Sequence, residues 1–148
     1  AGELLKRYPD AKLTALDYSD VSVTKASEYN KKAIADGKCS VIQGNVAKLP
    51  FDDETFDLAT AFETVYFWPG LETCFKEIFR VLKPGGTFLI TNESDGTDET
   101  SLKFEKIIDG MKCYKAEQLT EYLKAAGFSE IKSDHHPGKP WIAVVAEK

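Results

Sequence analysis

Residues 79–91, with the sequence Phe-Arg-Val-Leu-Lys-Pro-Gly-Gly-Thr-Phe-Leu-Ile-Thr, decide the fold class. Apolar residues recur at helical spacing up to and into this stretch, which predicts one buried helix face; they are Leu71, Cys74, Phe75, Ile78, Val81 and Leu82. Lys83–Gly86 break this helix sharply, and Thr87–Thr91 read as a strand. A helix that leads through a tight break into an apolar strand is typical of α/β sheets with crossover helices.

The same alternation extends towards the N-terminus. Strands are predicted at 13–17, 41–43 and 56–62, and helices at 2–8 and over about 20–36. Pro9 closes the first helix, while Ser19 can cap the second and Gly37 can end it. The alternation of strands with helices favours a parallel arrangement in this half of the chain.

The C-terminal part predicts a helix and two further strands. The helix covers about 115–126 with Gly127 just beyond its end, and the strands lie near 128–133 and 141–146. Only the short segment 136–140 connects these two strands, which is too short for a parallel crossover. We therefore expect an antiparallel hairpin.

Composition predicts an ordinary globular domain. The chain has 148 residues, 43% of them hydrophobic, and 19 basic against 24 acidic side chains give a net charge of −5. This balance argues against nonspecific binding to nucleic acid or a membrane surface. The cysteines Cys39, Cys74 and Cys113 are far apart and odd in number, so we expect buried thiols in a reducing, cytoplasmic compartment.

Polar residues follow the predicted parallel strands. The strands lead into Asp17, Asn45, the pair Phe62-Glu63 and the pair Asn92-Glu93. Because the carboxyl ends of parallel strands share one edge of a sheet, and ligands bind there in open α/β sheets, we expect the site at this edge.

Asp17 and Asn45 each have two interpretations. The carboxylate of Asp17 can accept hydrogen bonds from both hydroxyls of a ribose, or it can cap the next turn. Asn45 or the neighbouring backbone can pair with an adenine edge, with Val46 and Leu49 covering the ring, or Asn45 can form an Asx turn after Gly44.

Residues 62–69 form an aromatic loop with one acid. We expect Phe62 and Phe67 to be core anchors, and Tyr66 and Trp68 to be pocket residues because their polar tips need partners. Glu63 can orient an amine, act as a base or serve as a cap.

The adjacent pair His135-His136 invites a metal or catalytic interpretation. Neighbouring residues on a strand point to opposite faces, so the two imidazoles do not converge on one ion. We expect surface or hairpin roles for both, no metal site, and packing of Trp141 in the core or at a sheet edge.

Four segments together resemble the class I S-adenosylmethionine-dependent methyltransferases, and the ubiquinone-biosynthesis-type domain is the most similar subgroup. Leu13–Ser19 resembles that family's second strand and acidic position, and 43–51 its adenine-contact turn and the apolar segment after it. Phe56–Phe62 resembles the fourth strand, and 79–87 the helix-turn-strand signature before the fifth. The resemblance implies one Rossmann-like domain over 1–148, with an open, mostly parallel sheet and a C-terminal antiparallel hairpin.

The resemblance also implies a departure. The family opens with a strand and a glycine-rich loop next to the methionyl part of the cofactor, and no such segment precedes Ala1. The family pattern places that strand between those ending at Asp17 and Phe62. Truncation, strand exchange with another copy, or closing up of the flanking strands are open explanations. We favour truncation, with an oligomer such as a homodimer protecting the exposed strand edges. We expect this chain to bind the cofactor weakly or not at all.

The resemblance further implies transfer of a methyl group from S-adenosylmethionine to a small-molecule acceptor. By position, Asp17 holds the ribose, Tyr18 covers the adenine, and Asn45 and Val46 contact its edge, although the family often has an acid at the position of Asn45. Phe62 and Glu63 line the methionine side. Tyr66 and Trp68 face the acceptor, and Glu63 and Tyr66 are the catalytic candidates, with a nearby histidine as another base.

Two rival functions remain open at the level of sequence. A nicotinamide-dependent Rossmann oxidoreductase shares an acid after the second strand, but the Pro84-Gly85-Gly86 signature and the terminal hairpin favour a methyltransferase. A cofactor-free interaction domain derived from a methyltransferase is supported by the missing glycine loop.

Overall fold

A computed structural model describes residues 1–148. The chain divides into two compact units, Ala1–Pro50 and Phe51–Lys148. A single domain over 1–148 stays a prediction.

The first unit is a two-stranded parallel sheet with three helices. Its elements are α1 (Gly2–Arg7), β1 (Leu13–Asp17), α2 (Asp20–Tyr29), α3 (Lys31–Ala35) and β2 (Cys39–Gln43). The strands pair from Leu13 opposite Cys39 to Asp17 opposite Gln43, so both carboxyl ends lie at one edge. Each strand ends where its apolar residues are followed directly by a turn residue.

The single helix predicted over 20–36 is instead two helices. The predicted cap forms, because the Ser22 amide donates to Ser19 Oγ at 3.3 Å. The break comes at Asn30, whose side-chain amide donates to the Ala26 carbonyl at 2.8 Å and is buried. A short side chain that hydrogen-bonds to the backbone of the preceding turn competes with continuation of the helix, which explains the break.

The second unit is a four-stranded sheet with helices. Its elements are β3 (Phe56–Phe62), a 3₁₀ helix (Val65–Phe67), α4 (Leu71–Val81), β4 (Leu82–Asn92), α5 (Glu99–Ile107), α6 (Ala116–Ala126), β5 (Ser129–His135) and β6 (Ile142–Glu147). The strand order is β3-β4-β6-β5. β3 and β4 are parallel, while β6 runs antiparallel to both β4 and β5, which confirms the hairpin.

Two elements of the second unit differ from the predictions. β4 begins at Leu82 rather than Thr87, because the Gly85 amide donates to the Lys148 carbonyl and the Lys148 amide donates to Gly86. Gly85 has a φ of 75°, which glycine adopts without strain. Helix α5 was not predicted; it has no buried residue, so its only sequence signal is the Asp98 cap, which accepts from the Ser101 amide at 2.8 Å.

An aromatic cluster forms the core of the second unit. Phe75 and Phe88 are 0% and 1% exposed, and their ring centroids lie 5.6 Å apart in an edge-to-face arrangement. Phe128 packs against Phe88 at 5.9 Å, and Trp68 stacks on Phe88 at 6.2 Å. These residues place α4 and the residue just before β5 against the same face of β4.

The strands form two sheets rather than one. β1 pairs only with β2, and β3 pairs only with β4, so closing up of the flanking strands, one of the three open explanations, is not observed. All three cysteines are buried, as predicted, and burial raises the pKa of the Cys74 thiol to about 11. None of the six helices is both long enough and apolar enough to cross a membrane.

Candidate functional site

Asp17 is the last residue of β1, and only one of its two carboxylate oxygens accepts a hydrogen bond within the chain. Oδ1 accepts the Ser19 amide at 2.9 Å, so the turn-capping interpretation is correct for this oxygen. Oδ2 accepts no hydrogen bond, and the residue is half-buried. Beside it, Tyr18 is 75% exposed and presents its ring to any ligand at this edge.

The turn after β2 brings the backbone close to β1. A Cβ on Gly44 would lie 2.8 Å from Leu16 Cδ1, so a larger residue here would displace the Leu16 side chain, and the Gly44 amide donates to the Asp17 carbonyl at 2.9 Å. Asn45 forms the Asx turn, as one of its two interpretations predicted, because its Oδ1 accepts the Ala47 amide at 2.9 Å. Asn45 is exposed, and Val46 is half-buried.

The aromatic loop differs from the expectations for its phenylalanines. Phe62 and Phe67 are both 44% exposed, so the prediction that they anchor the core is wrong. Their positions at the end of β3 and in the 3₁₀ helix leave these rings incompletely covered. Val65 and Tyr66 are the buried residues of this loop, and the partly buried Trp68 packs on Phe75 and Phe88.

Glu63 is held by a buried tyrosine. The Tyr66 hydroxyl donates to Glu63 Oε2 at 3.1 Å and accepts the Ser94 amide at 3.0 Å. Burial raises the pKa of Tyr66, so the phenol keeps its proton and acts as a donor rather than a base. Ser94, which is 2% exposed, was missed in the sequence because nothing local distinguishes it from a loop serine.

Tyr66→Phe is expected to lower the free energy of unfolding by about 1–3 kcal/mol. The substitution leaves the buried Ser94 amide without an acceptor, which costs the desolvation of that group. Tyr29→Phe is the matched control, because Tyr29 is 83% exposed. Urea denaturation measures both, and an equal effect of the two substitutions would contradict the network.

A cavity of about 440 Å³ lies at the carboxyl ends of β3 and β4 in the second unit. Glu63, Asn92 and Glu93 contribute from these ends, and the β5–β6 hairpin contributes residues including Asp134 and Trp141. Strand register explains one wall, because Thr91, Ala143 and Asp134 are neighbours across three strands. Apolar alternation alone does not reveal which residues of these strands lie side by side, so the sequence did not predict this wall.

The two histidines are exposed at the β5–β6 hairpin, as predicted, and they also lie at this cavity. His135 and His136 both line it, and the His136 ring lies 5.3 Å from that of Trp141. His136 also closes the hairpin by donating its amide to the Trp141 carbonyl at 2.9 Å. Tyr66 and Trp68 do not line the cavity, and their contact with an acceptor remains a prediction.

Asn92 is the buried polar side chain without partners. It is 1% exposed, and neither its amide nitrogen nor its carbonyl oxygen makes a hydrogen bond. Buried amides are nearly always paired, and unpaired ones cost stability.

Asn92→Leu is therefore expected to raise the free energy of unfolding by about 1–2 kcal/mol, because it removes two unpaired polar atoms at similar volume. Asn30→Leu is the matched comparison, since the Asn30 amide is paired with Ala26, and it is not expected to stabilise the chain. Thermal or urea unfolding of both variants measures the difference. Destabilisation by Asn92→Leu would show that the amide is satisfied in solution.

The side chains at the edge of the first unit fit the nucleoside part of S-adenosylmethionine. A carboxylate with one uncommitted oxygen suits a ribose diol, and the exposed ring of Tyr18 suits the face of adenine. The side-chain amide nitrogen of the exposed residue Asn45 is a donor of the kind that pairs with an adenine ring nitrogen. These roles of individual residues remain predictions.

Comparison with known families identifies the class of protein. The family model described as a methyltransferase domain matches residues 1–90, which is more than half of the chain. The chain therefore belongs to the methyltransferase domain family. This confirms the predicted class, the class I S-adenosylmethionine-dependent methyltransferases with their Rossmann-like fold, and S-adenosylmethionine is the cofactor of that class.

Curated relatives include sterol methyltransferases. The chain is 34% identical over 145 residues to 24-methylenesterol C-methyltransferase 3 of Arabidopsis thaliana, covering 88% of this chain and 40% of that protein. It is 32% identical over 152 residues to a sterol 24-C-methyltransferase of Kluyveromyces lactis, covering 94% of this chain and 41% of the relative. The chain thus spans about two-fifths of the length of these relatives.

Solved structures show the same fold. A chain of the complex containing the Haloferax volcanii Trm112 methyltransferase activator matches with a TM-score of 0.86 at 21% identity, covering 99% of this chain and 77% of that one. The [4+2]-cyclase SpnF matches with a TM-score of 0.79 at 21% identity, covering 98% and 70%. The second match carries the name of a cyclase, which illustrates that this fold alone does not fix a reaction.

Proposed function

We propose that the protein containing this chain transfers a methyl group from S-adenosylmethionine to a small-molecule acceptor. The observation that carries the proposal is the half-buried carboxylate of Asp17, with one oxygen uncommitted, at the carboxyl end of β1. Membership of the methyltransferase domain family supports the same reaction.

The residues of this chain bind and orient, because the chemistry itself belongs to the cofactor. When bound, S-adenosylmethionine supplies an activated methyl group on a sulfonium, which is already a good leaving group. Asp17 binds the ribose hydroxyls, and Tyr18, Asn45 and Val46 surround the adenine. Glu63 faces the reacting groups and is kept in place by Tyr66, and alignment of this kind supplies much of the rate.

We further propose that this chain functions within a longer polypeptide. β1 and β3 each have one strand edge without a hydrogen-bonded partner, and such edges in a packed sheet are costly. The curated relatives are also much longer than this chain. A strand supplied from outside residues 1–148, or from a second copy in a homodimer, satisfies these edges.

Sterol is the first acceptor class to test, because it is named in the relatives. For partners and location we propose a small molecule, neither nucleic acid nor a membrane, and a cytoplasmic setting. The net charge of −5 and the three unpaired cysteines support these assignments. The comparisons lend no support to a nicotinamide-dependent oxidoreductase or a cofactor-free interaction domain.

The experiment that tests the function is isotope transfer by the whole protein. Methyl-labelled S-adenosylmethionine is incubated with cycloartenol, 24-methylenesterol and a panel of small amines, and label in the extracted products is counted. Cofactor-dependent labelling of any acceptor supports the proposal. Calorimetry that shows no cofactor binding, together with binding of a nicotinamide dinucleotide, would overturn it. Calorimetry of residues 1–148 alone tests the expected weakness of cofactor binding by this chain.

A further inference from the structure

We propose that the cavity between the ends of β3 and β4 and the β5–β6 hairpin binds a small organic amine, and that this amine is the methyl acceptor. The proposal deepens the proposed function and rests on it for the transfer step. It does not rest on it for amine binding, which residues 1–148 are expected to show without cofactor.

The walls of the cavity are acidic. Glu63, Glu93 and Asp134 line it beside His135 and His136, and the ammonium of Lys139 lies over the ring of the lining residue Trp141. Hydrogen bonds between an ammonium and a carboxylate are among the strong ones. The side chains are not grouped as metal ligands, so the charge favours an organic cation.

Glu63 is prepared for a ligand before any ligand binds. Its φ is 55°, a left-handed conformation that is unfavourable for glutamate, and such conformations concentrate at functional sites. The buried Tyr66 hydroxyl fixes Oε2 from one side, and Oε1 accepts no hydrogen bond. The carboxylate therefore presents one free oxygen in a fixed orientation.

An ammonium already lies on an aromatic ring at this cavity. Lys139 Nζ lies 3.8 Å from the centroid of the Trp141 ring, and Trp141 is a lining residue that is 37% exposed. The indole face attracts cations through its quadrupole. The cation of a ligand can bind in the same way on the other face of this ring, or it can displace Lys139 from the face that Lys139 covers.

Asn92 supplies an independent observation. It is a lining residue, almost fully buried, and both polar atoms of its side chain lack partners. A ligand with a hydrogen-bonding group next to its amine satisfies an amide of this kind, whereas an apolar ligand leaves it unpaired. Pro137, Trp141, Ile142 and Ala143 supply the apolar part of the walls.

The transfer step balances with groups at this cavity. The ammonium of the acceptor gives one proton to the Glu63 carboxylate, which frees the nitrogen lone pair. That lone pair forms the new nitrogen–carbon bond as the carbon–sulfur bond breaks, and the electron pair of the broken bond remains on sulfur. The products are a methylated ammonium and a neutral thioether.

The test compares two probes that differ in one terminal group, an ammonium in the first and a neutral hydroxyl in the second. Tyramine and its neutral counterpart tyrosol are titrated into ¹⁵N-labelled chain without cofactor, and the indole N–H of Trp141 is followed by NMR. Tyramine is expected to bind about tenfold more tightly than tyrosol, and the difference is expected to shrink as salt is raised. The Trp68 indole, which packs on Phe75 and Phe88 and does not line the cavity, is the internal control and is not expected to shift.

Substitutions locate the amine. Glu93→Gln and Asp134→Asn are each expected to reduce the preference for tyramine about threefold to fivefold, whereas Glu121→Gln, on the exposed side of α6, leaves it unchanged. Lys139→Gln is expected to tighten tyramine binding about threefold, because it removes a competing cation from Trp141. This last variant gains affinity, so misfolding cannot imitate it.

Failure of the amine proposal can be distinguished from failure of the proposed function. Equal binding of tyramine and tyrosol, shifts that avoid Trp141, or labelling of sterols but of no amine in the isotope experiment would each overturn the amine proposal. Amine binding at this cavity in a protein that transfers no methyl group would overturn the proposed function and leave the binding site standing.

Discussion

Asp17→Ala is expected to weaken binding of S-adenosylmethionine to the whole protein about 100-fold. The carboxylate is proposed to accept both ribose hydroxyls, and each hydrogen bond to a charged group contributes about 1.5–3 kcal/mol. A factor of ten in affinity corresponds to about 1.4 kcal/mol, so loss of both bonds accounts for this change. Isothermal titration calorimetry measures it directly.

Two further variants separate binding from folding. Asp17→Asn keeps an oxygen to accept the Ser19 amide, so the turn is preserved, and only about a tenfold loss is expected. Asp10→Ala removes an exposed carboxylate in the same unit and is expected to leave the affinity unchanged. Unchanged affinity in Asp17→Ala would remove the nucleoside site from the carboxyl end of β1.

Phe75→Ala is expected to lower the free energy of unfolding by about 3–5 kcal/mol. The side chain is 0% exposed and contacts both Trp68 and Phe88 edge-to-face, so truncation loses apolar burial and leaves a cavity. Such a loss is a large share of the stability of a small protein. Urea denaturation followed by circular dichroism measures it.

Phe104→Ala provides the matched control for Phe75→Ala. Phe104 is 49% exposed on α5, which has no buried residue, so the same truncation is expected to cost about 0.5 kcal/mol or less. Comparable losses at the two positions would show that the aromatic cluster is not the centre of the core.

The sequence was sufficient to predict the elements with strong periodicity. The helix ending at Val81, the hairpin and the polar ends of the strands all follow from apolar spacing and turn residues. The helix break at Asn30 depends on one side-chain hydrogen bond to the preceding turn, which propensity does not reveal. Helix α5 lacks an apolar face and therefore any periodic signal.

The candidate site was only partly accessible from sequence. Asp17 and Glu63 could be proposed because they lie at the ends of predicted strands. The partnership of Tyr66 with Ser94 joins residues 28 positions apart, and no local pattern indicates such a pairing. His135 and Trp141 required knowledge of the hairpin register before they could be placed beside Glu63 at one cavity.

Each of the two units contains at least one buried cysteine, so local opening of each unit can be followed separately. Cys39 lies in the first unit, while Cys74 and Cys113 lie in the second, and burial raises the pKa of each thiol. A buried, protonated thiol reacts with an alkylating reagent only when its surroundings open. Timed alkylation followed by peptide mass spectrometry therefore reports local opening of each half of the chain as a separate rate, with no engineered label.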